Sequence, residues 1–264
     1  RGRSRRQHKH TRMSSVGAGY DLSSTTFSPD GRVFQVEYAQ KAVDNSGTVL
    51  GLRVRDGVVL AIEKPVISKL AVPGANRRIL SADRSVGMAG AGLAADCRMV
   101  VNRARGECQN YKHFYGSAMP TEVLAERIAS YVHLFTLYWS VRPCGASTLV
   151  AGCDQSGGER TPQLYLVEPN GVVQRFYGTA LGKARQSAKS EIEKLDLSSM
   201  SAKEAVKAAA KIIYQVHDES KDKQFELEMT WIAPETDYEH RRVPADMLAE
   251  AEAEAKAAIE AMDE

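Results

Sequence analysis

Apolar positions recur along this chain with two periods, and the places where the period switches mark its elements. The first helical pattern begins at about Arg32. Phe34, Tyr38 and Ala42 fall four apart, and Val36, Ala39 and Val43 form a second row at i, i+3 and i+7. Together the rows span roughly half the circumference, wider than the ~100° stripe of a surface helix. Such a helix is expected to touch apolar surface on more than one side, at an interface or as a lid on its own domain. Residues 13–31 ahead of it lack periodicity yet hold Tyr20 and Phe27, which suggests ordering against a neighbour. Within them Ser28-Pro29-Asp30-Gly31 suits a type I turn.

At Thr48 the period drops to two. Thr48–Val54 and Val58–Glu63 read as strands joined through the hairpin signal Arg55-Asp56-Gly57. Ser85–Ala91 reads as a strand of small buried residues. Helical patterns run from Leu93 to about Phe114 and from Thr121 to about Ser140. The second opens behind Pro120 and carries Val123, Ile128, Val132, Phe135 and Trp139 on its apolar side. A second strand block covers Ser147–Cys153, Gln163–Val167 and Val172–Gly178, the last two linked by Glu168-Pro169-Asn170-Gly171. Helices return over Gly182–Leu195 and Ser201–Glu219, where Ser201 and Glu204 have capping-box spacing. Phe225–Ile232 is a final strand. Met247–Met262 is an Ala/Glu helix with too few large apolar residues to persist unless docked. Strands and helices in grouped blocks argue against a doubly wound parallel sheet and for packed sheets with helices outside.

Several short runs carry a resemblance. Tyr20-Asp21, Phe27-Ser28-Pro29-Asp30-Gly31-Arg32 and Phe34-Gln35-Val36-Glu37-Tyr38-Ala39 resemble the signature of alpha-type subunits of the proteasome core particle. Gly90–Asp96, Val141-Arg142-Pro143 and Gly182-Lys183 sit in register with that family, and the similarity runs to about Pro234. Gly19–Ser23 and Ile213–Glu219 look most like the branch that fills the seventh ring position. The resemblance implies an α+β fold, the four-layer α-β-β-α sandwich of amino-terminal-nucleophile hydrolases. It implies a gate segment over 13–31, a subunit domain over 32–234 and an acidic carboxy-terminal helix or tail over 235–264. It also implies partners: other alpha subunits in a hetero-heptameric ring, the beta-ring subunits beneath, and a regulatory particle or other activators. The expected location is cytoplasmic and nuclear.

Site residues follow from the same resemblance. Tyr20, Asp21, Pro29 and Tyr38 match the gating residues that hold amino-terminal tails open or closed, and phenols facing a carboxylate suit a two-state hydrogen-bond switch. Leu22 departs from the Arg usual there, which removes a charge-assisted contact from this chain's own tail. Arg78, Gly92 and Leu93, expected near the start of the first helix, match the pocket that receives activator carboxy-terminal tails. Many relatives place Lys at position 78; a guanidinium still grips a carboxylate bidentately. Phe34, Val36, Ala39 and Val43 are expected to serve ring contacts, since ring closure needs two different faces per subunit.

Composition adjusts this reading in three places. The formal charge of +2 misleads, because Arg1, Arg3, Arg5, Arg6, Lys9 and Arg12 fall in residues 1–12 without an acid; removing those six leaves the body at −4. Residues 1–12 read as a disordered basic leader ahead of a natural start at Met13, with a nuclear-localisation or nucleic-acid tail as the alternative. No nucleic-acid binding is expected of the body. Cys97, Cys108, Cys144 and Cys153 show no zinc spacing, so reduced buried thiols are expected, with no metal and no cofactor. No apolar run approaches a membrane span, so no membrane partner is expected.

The competing class is an enzyme. Active relatives expose a threonine by self-cleavage behind a glycine and use its amine as base. Ser46-Gly47-Thr48 offers a superficial junction. In register with those relatives, however, the nucleophile falls on Gly47, the acid on Glu63 and the lysine on Arg78, a poor proton relay. Cleavage there would also remove the first helix. The chain is therefore expected to have no catalytic residue. His113, His133 and His217 read as satisfied histidines, Gly178–Lys183 as a phosphate loop only loosely, and Asp218-Glu219 with Asp222 as a solvated cluster.

Overall fold

A computed structural model describes residues 19–66, 68–217 and 224–263. Two antiparallel five-stranded sheets form its centre. From edge to edge the first contains Arg241–Arg242 (β10), Phe225–Ile232 (β9), Val58–Pro65 (β2), Val49–Arg53 (β1) and Gly178–Leu181 (β8). The second contains Ile79–Asp83 (β3), Val86–Gly92 (β4), Ala146–Ser156 (β5), Glu159–Val167 (β6) and Val173–Arg175 (β7). Strand alternation decides which core each residue joins. Val49, Leu60, Ile62, Ala89, Leu149, Leu164 and Leu166 face the opposing sheet and close the central core. Their neighbours Leu50, Leu52, Val59, Ala61, Met229 and Trp231 face the other way, onto Arg185–Ile192 (α4), Ala202–Val216 (α5) and Ala245–Asp263 (α6). On the second sheet Met88, Val150, Tyr165 and Val167 meet Ala94–Tyr115 (α2) and Thr121–Leu134 (α3). The layers are helix, sheet, sheet, helix, as the resemblance implies.

The first helix, Phe34–Asp44 (α1), lies against β4 and β5. It starts two residues later than the periodicity suggests. Before it, the turn forms: Gly31 N donates to Ser28 O at 2.9 Å, and Ser28 Oγ accepts from Arg32 N at 3.1 Å. The hairpin after β1 closes through Val54 N to Gly57 O, and Asp56 then accepts from Ala202 N at the start of α5. The capping box at α5 is present, with Ser201 N donating to Glu204 Oε2 at 2.8 Å. α6 is docked rather than solvated: Ala251 and Ala255 are buried on α5, Lys207 bridges Glu250 and Glu254, and Tyr214 donates to Glu252.

Four expectations change. α3 stops at Leu134, because Phe135 N and Thr136 N turn back to Val132 O and His133 O and the Thr136 hydroxyl takes the His133 carbonyl at 2.7 Å. Trp139, expected on the apolar side of that helix, stands 83% exposed beyond its end. The strand read as Val172–Gly178 is two strands in different sheets, β7 and β8, with the chain crossing between them at Phe176-Tyr177. The loose phosphate-loop match Gly178–Lys183, not expected to act as one, opens with β8. α5 ends at Val216, and the acidic cluster after it lies outside the described residues, as does the basic leader.

Candidate functional site

α1 carries two candidate surfaces, and its own burial separates them. Phe34, Ala39 and Val43, drawn from both rows, are buried under this domain, so that face serves as a lid on the sandwich. Val36 is half-buried and lines a groove of ≈ 480 Å³ with Phe27, Val33 and Leu137. At the start of α1 the chain folds back on the helix. The Tyr38 hydroxyl donates to Asp21 Oδ2 at 3.2 Å, and Gln35 Nε2 donates to the Asp21 carbonyl. Burial and the Asp21 hydrogen bond raise the Tyr38 phenol above its ordinary value, so it stays a donor. Arg32 forks onto Glu37, which lowers the Glu37 carboxyl, and stacks 4.7 Å from the Phe34 ring centroid. The structure thus brings Asp21 and Tyr38 together. Tyr20 and Pro29 are exposed and stand outside that hydrogen bond; Leu22 is 89% exposed.

The opposite end of α1 borders a cleft of ≈ 310 Å³. Ala42, Asn45, Ser46 and Gly47 form one wall and Arg78, Gly92 and Leu93 another. These last three residues gather as the resemblance implies, but at the end of the helix, not its start. The reason is the path of the chain: α1 runs directly into Gly47 and β1, and β4 ends at Gly92 beside them. Gly92 has φ +110°, and a Cβ there would sit 2.2 Å from the Gly145 carbonyl, so only glycine turns β4 into α2 here. Leu93 N then donates to Gly145 O at 2.9 Å. Asp96 braces this corner: it accepts from Arg142 through both oxygens and from Gly145 N at 2.8 Å. The Arg142 guanidinium holds the Asp96 carboxyl below its usual range.

This cleft is where active relatives would place their nucleophile, and its geometry closes that route. A Cβ at Gly47 would lie 2.3 Å from the Glu63 carbonyl oxygen, a backbone atom. Thr48, one residue ahead of β1, is fully buried, its hydroxyl has no partner, and its amide N–H donates to Glu63 Oε2 at 3.2 Å. Glu63 Oε1 meets His217 Nδ1 at 2.6 Å, so the histidine is satisfied, as read, but by the residue at the acid position. Arg78 Nη1 donates to Gly92 O at 3.2 Å, and a guanidinium holds its protons too tightly to relay one.

Sequence reasoning missed Lys64, Glu226 and Glu228. Lys64 Nζ lies 3.2 Å from Glu226 Oε1 and 3.3 Å from Glu228 Oε2 at the back of the cleft. The signal was legible as two acids in alternation within an otherwise apolar strand, Phe225-Glu226-Leu227-Glu228-Met229. The four cysteines are buried free thiols, and burial pushes Cys97 up to about 11 and Cys144 up to about 12. Among the described residues no group of three or more His, Cys, Asp or Glu is placed to hold a metal, and no helix is long and apolar enough to cross a membrane.

Comparison with known proteins extends these findings. Residues 20–42 match the N-terminal signature of A-type proteasome subunits, and residues 43–232 match the general proteasome-subunit family. The alpha type-3 proteasome subunit of Arabidopsis thaliana is 58% identical over 251 residues, covering 95% of this chain and 99% of that one. The alpha type-3 protein of Acanthamoeba castellanii is 57% identical over 246 residues, 93% and 96% of the two chains. A probable alpha type-7 proteasome subunit of Schizosaccharomyces pombe is 51% identical over 244 residues, 92% and 94% of the two. A signature of the alpha type at 20–42, joined to a sandwich whose nucleophile position is a walled-in glycine, places this chain in the proteasome subunit family, among its non-catalytic alpha-type members.

Proposed function

We propose that this chain is a non-catalytic member of the alpha ring of the proteasome core particle, where it builds the ring and helps control access of protein substrates to the degradation chamber. One observation carries the reading: α1 remains joined to β1 through Gly47, sealed under the Glu63 carbonyl, while the segment ahead of it is tied back through Asp21 and Tyr38. A subunit that keeps its leading segment has that segment available as a doorway. Asp21 and Tyr38 supply one hydrogen bond of a gate, and Tyr20 and Pro29 supply exposed surface beside it for a neighbouring subunit. The cleft at Arg78, Gly92 and Leu93 is the docking place for carboxy-terminal tails of a regulatory particle or other activators. The partners are the other alpha subunits and the beta ring beneath, in cytoplasm and nucleus.

Native affinity isolation of the tagged chain from cells, followed by intact-mass measurement, tests this. The expected result is a particle with sibling subunits in equal amounts and a chain that retains the residues ahead of Thr48. A chain beginning at Thr48, or one isolated alone, overturns it.

A further inference from the structure

We infer that the buried Lys64–Glu228 pair is the positioning device of this cleft, fixing the backbone at Arg78 so that its guanidinium meets a partner segment ending in a free carboxylate; the inference rests on the docking role proposed above. Lys64 and Glu228 side chains are 7% and 8% exposed. Two charges buried this far gain little net stability over apolar residues of the same shape, because desolvation offsets their attraction. Their hydrogen bonds show a more specific use. Glu228 Oε2 accepts from Arg78 N at 3.0 Å, and Oε1 faces Ile79 N at 3.4 Å. A residue of β9 in one sheet therefore grips the two amides that open β3 in the other.

That grip falls where it matters. Residues 68–73 and 75–77, which lead into Arg78, are exposed, with Gly74 at φ +73° among them. Arg78 is the point where this loop becomes sheet. Its amide is held by Glu228, its carbonyl accepts from Gly90 N at 3.3 Å, and Nη1 donates to Gly92 O at 3.2 Å. Guanidinium carries several N–H donors in a rigid fork, and one is committed to Gly92. Lys64 sets an opposite charge beside Glu228 inside the fold, and Glu226, 40% exposed, shares the ammonium. Lys64 is engaged by Glu226 and Glu228 and Glu63 by His217 and Thr48 N, so it is the Arg78 guanidinium, with donors beyond the one given to Gly92, that suits a carboxylate.

The test uses assembled core particles containing the variant chain. The probe is a photo-crosslinking peptide ending in an apolar residue with a free carboxylate, compared with its carboxamide. Capture on this chain is read by mass spectrometry. Wild type is expected to prefer the carboxylate, and Arg78→Met to abolish the preference. Glu228→Gln is expected to lower carboxylate capture roughly ten- to hundredfold, the effect of one charge-assisted hydrogen bond, and leave carboxamide capture unchanged. Lys64→Met/Glu228→Gln, which leaves no unpaired buried charge because Glu226 is partly exposed, covers the case in which the single variant does not assemble and is expected to show the same lost preference. Equal loss for both peptides, or full preference in the double variant, overturns the positioning role. An unchanged preference in Arg78→Met overturns the docking reading itself, whatever Glu228 does.

Discussion

At the scale of single residues, this chain differs from an enzyme of the same architecture by what stands around Gly47. Gly47 has no room for a side chain, since the obstacle at 2.3 Å is the Glu63 backbone carbonyl, which cannot rotate away. Gly47→Ala is expected to destabilise the chain by about 1–3 kcal/mol through overpacking, measured as a shifted urea midpoint, and Gly47→Thr is expected to confer no peptidase activity. His240 makes a second, separate prediction. Its Nδ1 lies 2.7 Å from Ser81 Oγ, its Nε2 is buried without a partner, and burial pushes it down to about 4. The native chain therefore refuses a proton that the unfolded chain accepts near 6.5. The sign is fixed by that order: His240's contribution is intact above pH 6.5 and is lost as pH falls towards about 4, on the order of 3 kcal/mol in all. Urea titrations at several pH values should show a shallower acid slope in His240→Gln than in wild type. Identical slopes would mean that His240 is hydrated and titrates normally in the fold.

At the scale of elements, docking decides whether weak helices hold. α6 meets α5 through Ala251 and Ala255, while the Lys207 bridges sit on the surface, 43% exposed at the lysine. Lys207→Met is expected to leave the urea midpoint close to that of wild type. Ala255→Glu, which drives a charge into the seam, is expected to undock α6, seen as fast hydrogen exchange confined to residues 245–261. Elements with local chemistry were legible in sequence: the Ser201–Glu204 box, the turn at 28–31, the hairpin at 55–57. What was hidden depended on tertiary context. The apolar period of α3 continues through Phe135 and Trp139, yet the backbone stops at Leu134, where Thr136 turns back on His133, and Trp139 is left exposed. β3 carries Ser81 and Asp83 at an edge and has no apolar alternation to announce it. β7 and β8 share one continuous pattern while crossing between sheets. At the cleft, Arg78, Gly92 and Leu93 were found through family resemblance, and Lys64 and Glu228 went unread because strand pairing, not spacing, joins them.

At the scale of the whole molecule, burial is uneven, and the two tryptophans report on it independently. Trp231 lies in β9, 3% exposed, inside the core between the first sheet and α5. Trp139 is 83% exposed, near Leu137, Tyr138 and Val141, which are themselves 50%, 57% and 39% exposed. A run of apolar residues left in water is a common mark of a surface meant for a partner, and an alpha ring needs two different faces covered on every subunit. The isolated folded chain should therefore give two emission components, one quenched by iodide and one protected until unfolding. Trp139→Phe should remove the quenched component and change stability by no more than about 0.5 kcal/mol, because the ring makes little of the fold's own core. Assembly into the core particle is expected to protect Trp139 as well, leaving Trp231 unchanged. A Trp139 signal still fully quenchable in the purified particle would leave that surface facing solvent in the ring, and the apolar run from Leu137 to Val141 would then be no part of a subunit contact.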